Sequence, residues 1–535
     1  MLAVMVASQP LRAQDQAGCP GPVKTTEGPI QGMVEPDSGA CAWKGIPYAQ
    51  PPVGELRWRA PRPPAAHEGV WEAKELGFAC PQSENLTSGG EARGFDEDCL
   101  TLNIWSPARS GTFPVMVFIH GGGFMQGTGT YEMYNGGRLA AEREVVLVTI
   151  NYRLGNFGYL ALPELTAEDP DNLSGNYGLL DQIRALEWVR DNIAGFGGDP
   201  HNVTIFGQSA GAMSVAYLLV SPRAAGLFHR AGILSGPFDL IRPLAEGYDY
   251  GRVLTLQVGC AQAPDPLACL RAQPTPAFVG KAQNMMFAGG PSLMPRIDGK
   301  IIPAAPLELL RAGKYHRVPV MVGSTRDELR LYSLMIPGMG AWPRSTVNTL
   351  MRWIAGPKQS EIMALYDYHD FRRPVDLLVR ALSDAAISSK AWLTAETLAA
   401  SGASDVFYYR FDWDDTRFPH KMGAFHGLDL PLIFGALSIN SNLAKMLANN
   451  KAVASGLPLS EDMMSYYTNF ARTGDPNGPG LTAWPRYNTT DRPRLVFDNP
   501  VTADPLPPTE LNRYQYFASQ RVDELFGPAI EKLNR

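Results

Sequence analysis

Short apolar runs alternate with longer amphipathic segments along most of this chain. The apolar runs are rich in Val, Ile, Leu and Phe, which is typical of buried strands. They lie at residues 100–105, 114–119, 145–152, 203–206, 231–235, 318–323, 406–411 and 495–497. Residues 176–193 and 462–473 carry apolar positions at the helical spacing. Strands that alternate with helices predict an α/β protein whose mostly parallel sheet is covered by helices on both faces.

Two segments depart from this alternation. Residues 23–49 alternate apolar and polar positions and contain several glycines, which predicts hairpin strands at the edge of a sheet. Residues 338–403 contain no strand-like run and are largely helical in pattern. We interpret this second segment as a helical insertion that roofs the functional site.

Composition limits the classes of protein to which the chain can belong. Of its 535 residues, 45% are hydrophobic and 10% are aromatic, which is enough for a large globular core. The formal net charge is -6 and no basic run occurs, so a nucleic-acid partner is not expected. No apolar stretch approaches the roughly 20 residues of a membrane span. We expect a single domain over residues 19–535, preceded at residues 1–18 by either the remnant of a signal peptide or a disordered start.

Six cysteines lie as near neighbours in three successive pairs, an arrangement typical of an oxidising compartment. Proximity favours the disulfides Cys19–Cys41, Cys80–Cys99 and Cys260–Cys269. About 15 pairings are open to six cysteines, and buried free thiols are the alternative. No Cys or His spacing indicates a metal site, so neither a metal nor a cofactor is expected. Together with a short apolar run near the N-terminus, the cysteines predict a secreted or periplasmic protein.

The most informative motif is Gly207-Gln208-Ser209-Ala210-Gly211, which follows an apolar run and precedes small and apolar residues of helical character. In that context G-x-S-x-G is the sharp strand-to-helix turn that lifts a serine hydroxyl above the edge of a sheet. Glycines are needed there because the serine backbone is strained and the chain on either side passes very close. The helix that follows directs free N–H groups toward the hydroxyl. We therefore predict that Ser209 is a nucleophile.

A second motif, His120-Gly121-Gly122-Gly123-Phe124, comes directly after the apolar run at residues 114–119. Three adjacent glycines cost much conformational entropy on folding, so a use for them is expected. Such a loop can direct a backbone N–H at a ligand. Together with the N–H of the residue after the nucleophile, it then forms an oxyanion hole. A simple turn is the alternative.

A serine nucleophile needs a base, and the base needs a third group that orients it. Of the eight histidines, His426 lies in a late loop, which gives the order serine, acid, histidine of this hydrolase topology. Asp327 and Glu328 follow the apolar run at residues 318–323, where a carboxylate lies at the functional edge of the sheet. Spacing alone does not decide which of these two is the acid.

Motifs throughout the chain resemble those of type-B carboxylesterases, the group that includes the cholinesterases. The matching segments are residues 45–54, 97–100, 151–155, 196–211 and 426–427, and the similarity extends over about residues 23–517. The resemblance implies an α/β-hydrolase fold with helical insertions that form a gorge above the active site.

The resemblance also implies roles for individual residues. Glu328 corresponds to the family's catalytic glutamate, and the residue after it is Leu329 where the family usually has glycine. The implied oxyanion donors are Gly122, Gly123 and Ala210. The implied disulfides are Cys80–Cys99 and Cys260–Cys269, in agreement with proximity.

The expected function is hydrolysis of a small-molecule carboxylic ester through an acyl-enzyme. The resemblance places the acyl pocket at the residues before the segment 295–299, and the small Gly289 and Pro291 there imply a wide acyl pocket. Arg296 and Arg330 lie near the expected rim of the site, which gives the hypothesis that the ester carries carboxylates. Ion pairs with nearby acidic residues are the alternative role of these arginines. The rival functions are a non-catalytic adhesion protein on the same fold and a lipase.

Overall fold

The computed structural model describes residues 18–84, 92–280, 293–334, 336, 338–403, 405–417, 422–437 and 449–520. Within them lies an 11-stranded sheet. Its strands, in spatial order, are Thr502–Pro505, Pro493–Phe497, Val406–Phe411, Val320–Thr325, Arg230–Leu234, Gly198–Gln208, Phe113–Ile119, Val146–Ile150, Thr101–Ser106, Cys41–Pro47 and Met33–Val34. Neighbours from Pro493–Phe497 to Val146–Ile150 are parallel, and antiparallel strands lie at both ends. The predicted mostly parallel sheet is confirmed.

The central strands read as continuous apolar runs because both faces of the sheet are covered. All residues of Phe113–Ile119 are buried. Successive side chains point to opposite faces, so Val115 and Val117 enter one core while Met116 and Phe118 enter the other.

Helices supply the rest of the two cores. Tyr177–Asn192, Ala210–Val220 and Ser389–Ala400 contribute to one core, and Gly137–Arg143, Leu430–Ile433 and Asn450–Thr473 contribute to the other. The further helices are Gly155–Tyr159, Pro163–Glu168, Leu244–Gln257, Pro266–Ala272, Pro306–Arg311, Arg330–Leu334, Arg344–Ala355, Gln359–Ala364, Pro374–Ser383 and Pro508–Ala518. Among the helices of the described ranges, none combines the length and apolar character needed to cross a bilayer.

The last long helix is longer than the sequence predicts. It begins at Asn450 rather than at residue 462, and it runs through Gly456 and Pro458. These two residues interrupt the helical signal in the sequence. The start is fixed instead by Asn449, whose side chain accepts a hydrogen bond of 2.8 Å from the Ala452 N–H.

The N-terminal hairpin strands are divided between two sheets. Met33–Val34 and Cys41–Pro47 form the predicted edge of the large sheet. Val23–Lys24 and Pro29–Gln31 pair with each other and with Trp71–Glu72 in a separate small sheet. The structure contains the disulfides Cys19–Cys41, Cys80–Cys99 and Cys260–Cys269, which are the pairs favoured from the sequence. Residues 1–17, and with them most of the predicted signal remnant, lie outside the described residues.

Candidate active site

Ser209 occupies the turn between the strand Gly198–Gln208 and the helix Ala210–Val220. Its backbone has φ 57° and ψ -123°, which is a strained conformation for a residue with a side chain. A Cβ at Gly211 would lie 1.9 Å from the carbonyl oxygen of Ile119. One at Gly207 would lie 2.5 Å from the carbonyl carbon of Gly211. The expected strain and close approach at this turn are therefore both present.

The glycine loop lies directly against this turn. A Cβ at Gly121 would lie 2.7 Å from the carbonyl oxygen of Gln208 and 3.0 Å from the Ser209 Cβ. Gly122 and Gly123 have φ values of 112° and 63°, in the region that favours glycine. The loop therefore brings its backbone beside the serine, as an oxyanion hole requires. At the start of the neighbouring helix, Ala210 has an N–H without an intrahelical acceptor.

His120 anchors the base of the glycine loop. Its ring is stacked on Tyr152 with the ring centroids 4.4 Å apart, and its Nδ1 donates to the Gly121 carbonyl at 2.8 Å. The Tyr152 hydroxyl donates to the His120 carbonyl at 2.8 Å. Burial lowers the pKa of the His120 imidazole to about 4, so this ring is neutral at neutral pH.

Glu328 and His426 are in direct contact. The Nδ1 of His426 lies 2.5 Å from Glu328 Oε2, and the other carboxylate oxygen accepts from the Thr325 N–H at 2.7 Å. Glu328 is fully buried. Both oxygens of this carboxylate are thus occupied, which fixes its orientation and directs a negative charge at the imidazole.

Asp327, the other candidate acid, points elsewhere. Its carboxylate accepts from Arg326 at 2.9 Å and from Arg380 at 3.1 Å. Burial alone would raise the pKa of the Asp327 carboxyl, but the charges of Arg380 and Arg326 hold this pKa well below its usual range. The same carboxylate accepts from the Ala424 N–H at 3.2 Å. Asp327 therefore ties its own loop to the loop that carries His426.

The other ring nitrogen of His426 contacts a residue that the sequence did not single out. His426 Nε2 lies 3.0 Å from the Gln208 amide nitrogen. Across the described ranges, this contact takes the place of a hydrogen bond between His426 and the Ser209 hydroxyl. In catalytic sites such hydrogen bonds are often formed only in the substrate complex.

A buried carboxyl group lies close behind the histidine. Asp429 is fully buried and its Oδ2 accepts from the Tyr409 hydroxyl at 3.3 Å. Burial, followed by the charge of Glu328, raises the pKa of the Asp429 carboxyl to about 7. Its position three residues after His426 is the sole signal in the sequence, and that spacing alone indicates no role.

The residues predicted to determine specificity lie in different settings. Arg296 is 1% exposed and lies in a short parallel pairing with Arg242–Pro243. Arg330 forms ion pairs with Asp376 and, at 3.9 Å, with Asp327. Gly289 and Pro291 lie outside the described residues.

A serine on a strand-to-helix turn, a glycine loop against it and a histidine–glutamate pair from later loops are the features of an α/β hydrolase. A model of the carboxylesterase family matches residues 20–512. This chain belongs to that family and is a carboxylic ester hydrolase.

Curated relatives agree with this assignment. The chain is 35% identical over 508 residues to a para-nitrobenzyl esterase of Bacillus subtilis, which covers 93% of this chain and 99% of the relative. It is 33% identical over 478 residues to a fumonisin B1 esterase of Sphingopyxis macrogoltabida, with coverage of 86% and 84%.

Solved structures agree as well. A carboxylesterase of Geobacillus stearothermophilus is 34% identical with a TM-score of 0.79, and the match covers 93% of this chain and 100% of that one. A PNB esterase is 33% identical with a TM-score of 0.76, and coverage is 92% and 99%.

Proposed function

We propose that this esterase works through a triad of Ser209, His426 and Glu328. The single observation that carries the proposal is the 2.5 Å contact between His426 Nδ1 and Glu328 Oε2 at the same sheet edge as the strained Ser209 turn. The Ser209 oxygen attacks the ester carbonyl carbon while His426 Nε2 takes its proton. His426 returns that proton to the oxygen of the leaving alcohol. Water then releases the acid from the acyl-enzyme by the same route.

The negative charge that develops on the carbonyl oxygen needs hydrogen-bond donors. We assign this role to the backbone N–H groups of Gly122, Gly123 and Ala210. The positive φ values of the two glycines and the approach of Gly121 to Ser209 support the assignment. Loss of one such donor typically lowers kcat by about 10²–10³.

For the substrate we propose a neutral, small-molecule carboxylic ester with a bulky acyl group. One relative is named for a para-nitrobenzyl ester and another for fumonisin B1, and the small residues Gly289 and Pro291 favour a wide acyl pocket. A carboxylate-bearing ester would need a guanidinium directed at the substrate. Arg330 is engaged with Asp376 and Arg296 is buried, which weighs against that part of the hypothesis.

The proposal is tested by the hydrolysis of p-nitrophenyl esters from acetyl to long acyl chains. Ser209→Ala should lower kcat by about 10⁶, because the nucleophile of an assembled triad is lost. Ser110→Ala, at an exposed serine, is the matched control and should leave kcat unchanged. Ester hydrolysis by Ser209→Ala at the wild-type rate would refute the triad. The chain-length profile of the wild type reports the size of the acyl pocket.

A further inference from the structure

The Gln208 side chain lies between the glycine loop at residues 121–123 and the loop that carries His426. Gln208 is the last residue of the strand Gly198–Gln208 and is 5% exposed. A Cβ at Gly121, in the glycine loop, would lie 2.9 Å from Gln208 Oε1. One at Gly427 would lie 3.6 Å from Gln208 Nε2. The amide thus spans the space from the glycine loop to the loop of His426.

The Gln208 amide contacts His426 Nε2, the ring nitrogen that accepts the serine proton in the proposed mechanism. His426 Nδ1 is hydrogen-bonded to the Glu328 carboxylate. Because a carboxylate only accepts hydrogen bonds, Nδ1 carries the proton. In the neutral ring, Nε2 then has a lone pair that requires a donor. The Gln208 amide nitrogen, 3.0 Å from Nε2, is that donor.

We propose that Gln208 is a positioning residue for His426. In the resting enzyme its N–H holds Nε2 and thereby keeps the ring in the orientation in which it can accept the Ser209 proton, while Glu328 fixes the tautomer. When the Ser209 hydroxyl rotates toward the ring, it replaces the Gln208 amide as the hydrogen-bond donor to Nε2. This inference rests on the proposed triad. It adds to the triad a hydrogen-bond partner, Gln208, for the base His426 in the absence of substrate.

The neutrality of Gln208 gives the proposal a distinctive test. The groups that face His426 include Glu328 at Nδ1 and Asp429 at the start of the next helix, with Tyr409 hydrogen-bonded to Asp429. Asp327 binds the backbone of the same loop. These groups are the same in wild type and in variants at position 208. A change in the pH profile therefore originates from the side chain at 208, either directly or through its effect on the ionisation of these groups.

The experiment compares pH profiles of kcat/KM for Gln208→Glu and the wild type on p-nitrophenyl acetate. A carboxylate cannot donate to Nε2, and it stabilises the imidazolium instead. The ring then stays protonated to a higher pH. The acid limb of the profile should therefore shift to higher pH by about one pH unit or more. Gln31→Glu, on a strand of the small sheet, is the charge-matched control and should not move the limb.

Gln208→Met tests the lost donor at nearly constant side-chain length. We expect kcat to fall by about tenfold, with KM changed less than about twofold, because the base is less well held while binding is intact. Titration of active sites with a p-nitrophenyl phosphonate counts competent enzyme, so a misfolded fraction does not enter kcat.

The outcomes separate this inference from the proposed function. A moved acid limb in Gln208→Glu with reduced kcat in Gln208→Met supports the positioning role. If Ser209→Ala is inactive but the Gln208→Glu profile superimposes on that of the wild type, the positioning role is overturned and the triad stands. If Ser209→Ala is fully active, both are overturned.

Discussion

At the level of single residues, the site contains two fully buried carboxyl groups, Glu328 and Asp429. The two carboxyl groups interact electrostatically, because the charge of Glu328 raises the pKa of Asp429, yet they have different hydrogen-bond partners. The two oxygens of Glu328 are held by His426 and the Thr325 N–H, whereas Asp429 Oδ2 accepts a hydrogen bond of 3.3 Å from the Tyr409 hydroxyl. A second full charge behind the triad would repel the first, and the raised pKa of Asp429 avoids it at acidic and near-neutral pH.

This arrangement predicts how Asp429→Asn changes stability with pH. In the unfolded chain the Asp429 carboxyl loses its proton near pH 4, but in the folded protein its pKa is about 7. The contribution of this group to stability is therefore complete below about pH 4 and is lost as the pH rises to about 7. The asparagine side chain does not titrate, so the variant should gain up to about 4 kcal/mol relative to wild type over that interval.

Urea unfolding of both proteins at several pH values between 4 and 8 measures the difference. Asp37→Asn, at an exposed surface position, is the control and should track the wild type. A difference between Asp429→Asn and wild type that stays constant across this range would contradict the buried, protonated carboxyl.

At the scale of elements, the turn at Ser209 depends on how closely three segments approach. The strand Phe113–Ile119 ends beneath the start of the helix Ala210–Val220, and the strand Arg230–Leu234 accepts the Ser209 N–H through the Leu234 carbonyl at 2.9 Å. Glycine at 211 lets the helix begin immediately above the first of these strands.

Gly211→Ala should therefore be severely destabilising. Its new Cβ would lie 1.9 Å from the Ile119 carbonyl oxygen, a backbone atom of a central strand that has no room to move. We expect a loss of about 3 kcal/mol in the free energy of unfolding, the upper end of the usual cost of overpacking. Gly69→Ala, where a Cβ meets nothing within 4 Å, should be nearly neutral. Equal thermal midpoints for the two variants would contradict this packing.

The strands and the turn at Ser209 could be predicted because local signals specify them, whereas the choice of Glu328 over Asp327 needed the resemblance to the family. A strand covered on both faces shows as an apolar run, and Ser209 lies in a motif whose glycines serve local geometry. The partner of His426 Nε2 could not be predicted, because Gln208 is 218 residues away and occupies the variable position of that motif. The start of the last long helix was missed because tertiary packing outweighs the weak helical propensity of Gly456 and Pro458.

At the scale of the whole molecule, the helical insertion supports the acid of the proposed triad from behind. The Leu329 N–H donates to Ser383 Oγ at 3.0 Å, and Arg380 donates to Asp327 at 3.1 Å. Both partners lie on the helix Pro374–Ser383. The helix Pro374–Ser383 thus fixes the loop of Glu328, whereas Ser389–Ala400, from the same predicted insertion, belongs to the core beside the sheet. Leu329, which stands where the family usually has glycine, does not prevent the Glu328–His426 contact.

The three disulfides are consistent with a protein of the cell exterior or the periplasm. They join segments close in sequence, and the first ties Cys19, near the start of the described chain, to the strand Cys41–Pro47. Closing such loops in the unfolded chain typically stabilises a fold by about 2–4 kcal/mol each.

Covalent labelling tests whether Ser209 is the nucleophile of this esterase. A fluorophosphonate reacts with an activated serine and displaces fluoride, which leaves a stable phosphonyl ester of known mass. We expect one adduct per chain, mapped by peptide mass spectrometry to Ser209, and loss of p-nitrophenyl acetate hydrolysis in proportion to labelling. An inactivating adduct on another residue, or loss of hydrolysis with Ser209 unlabelled, would show that Ser209 is not the nucleophile.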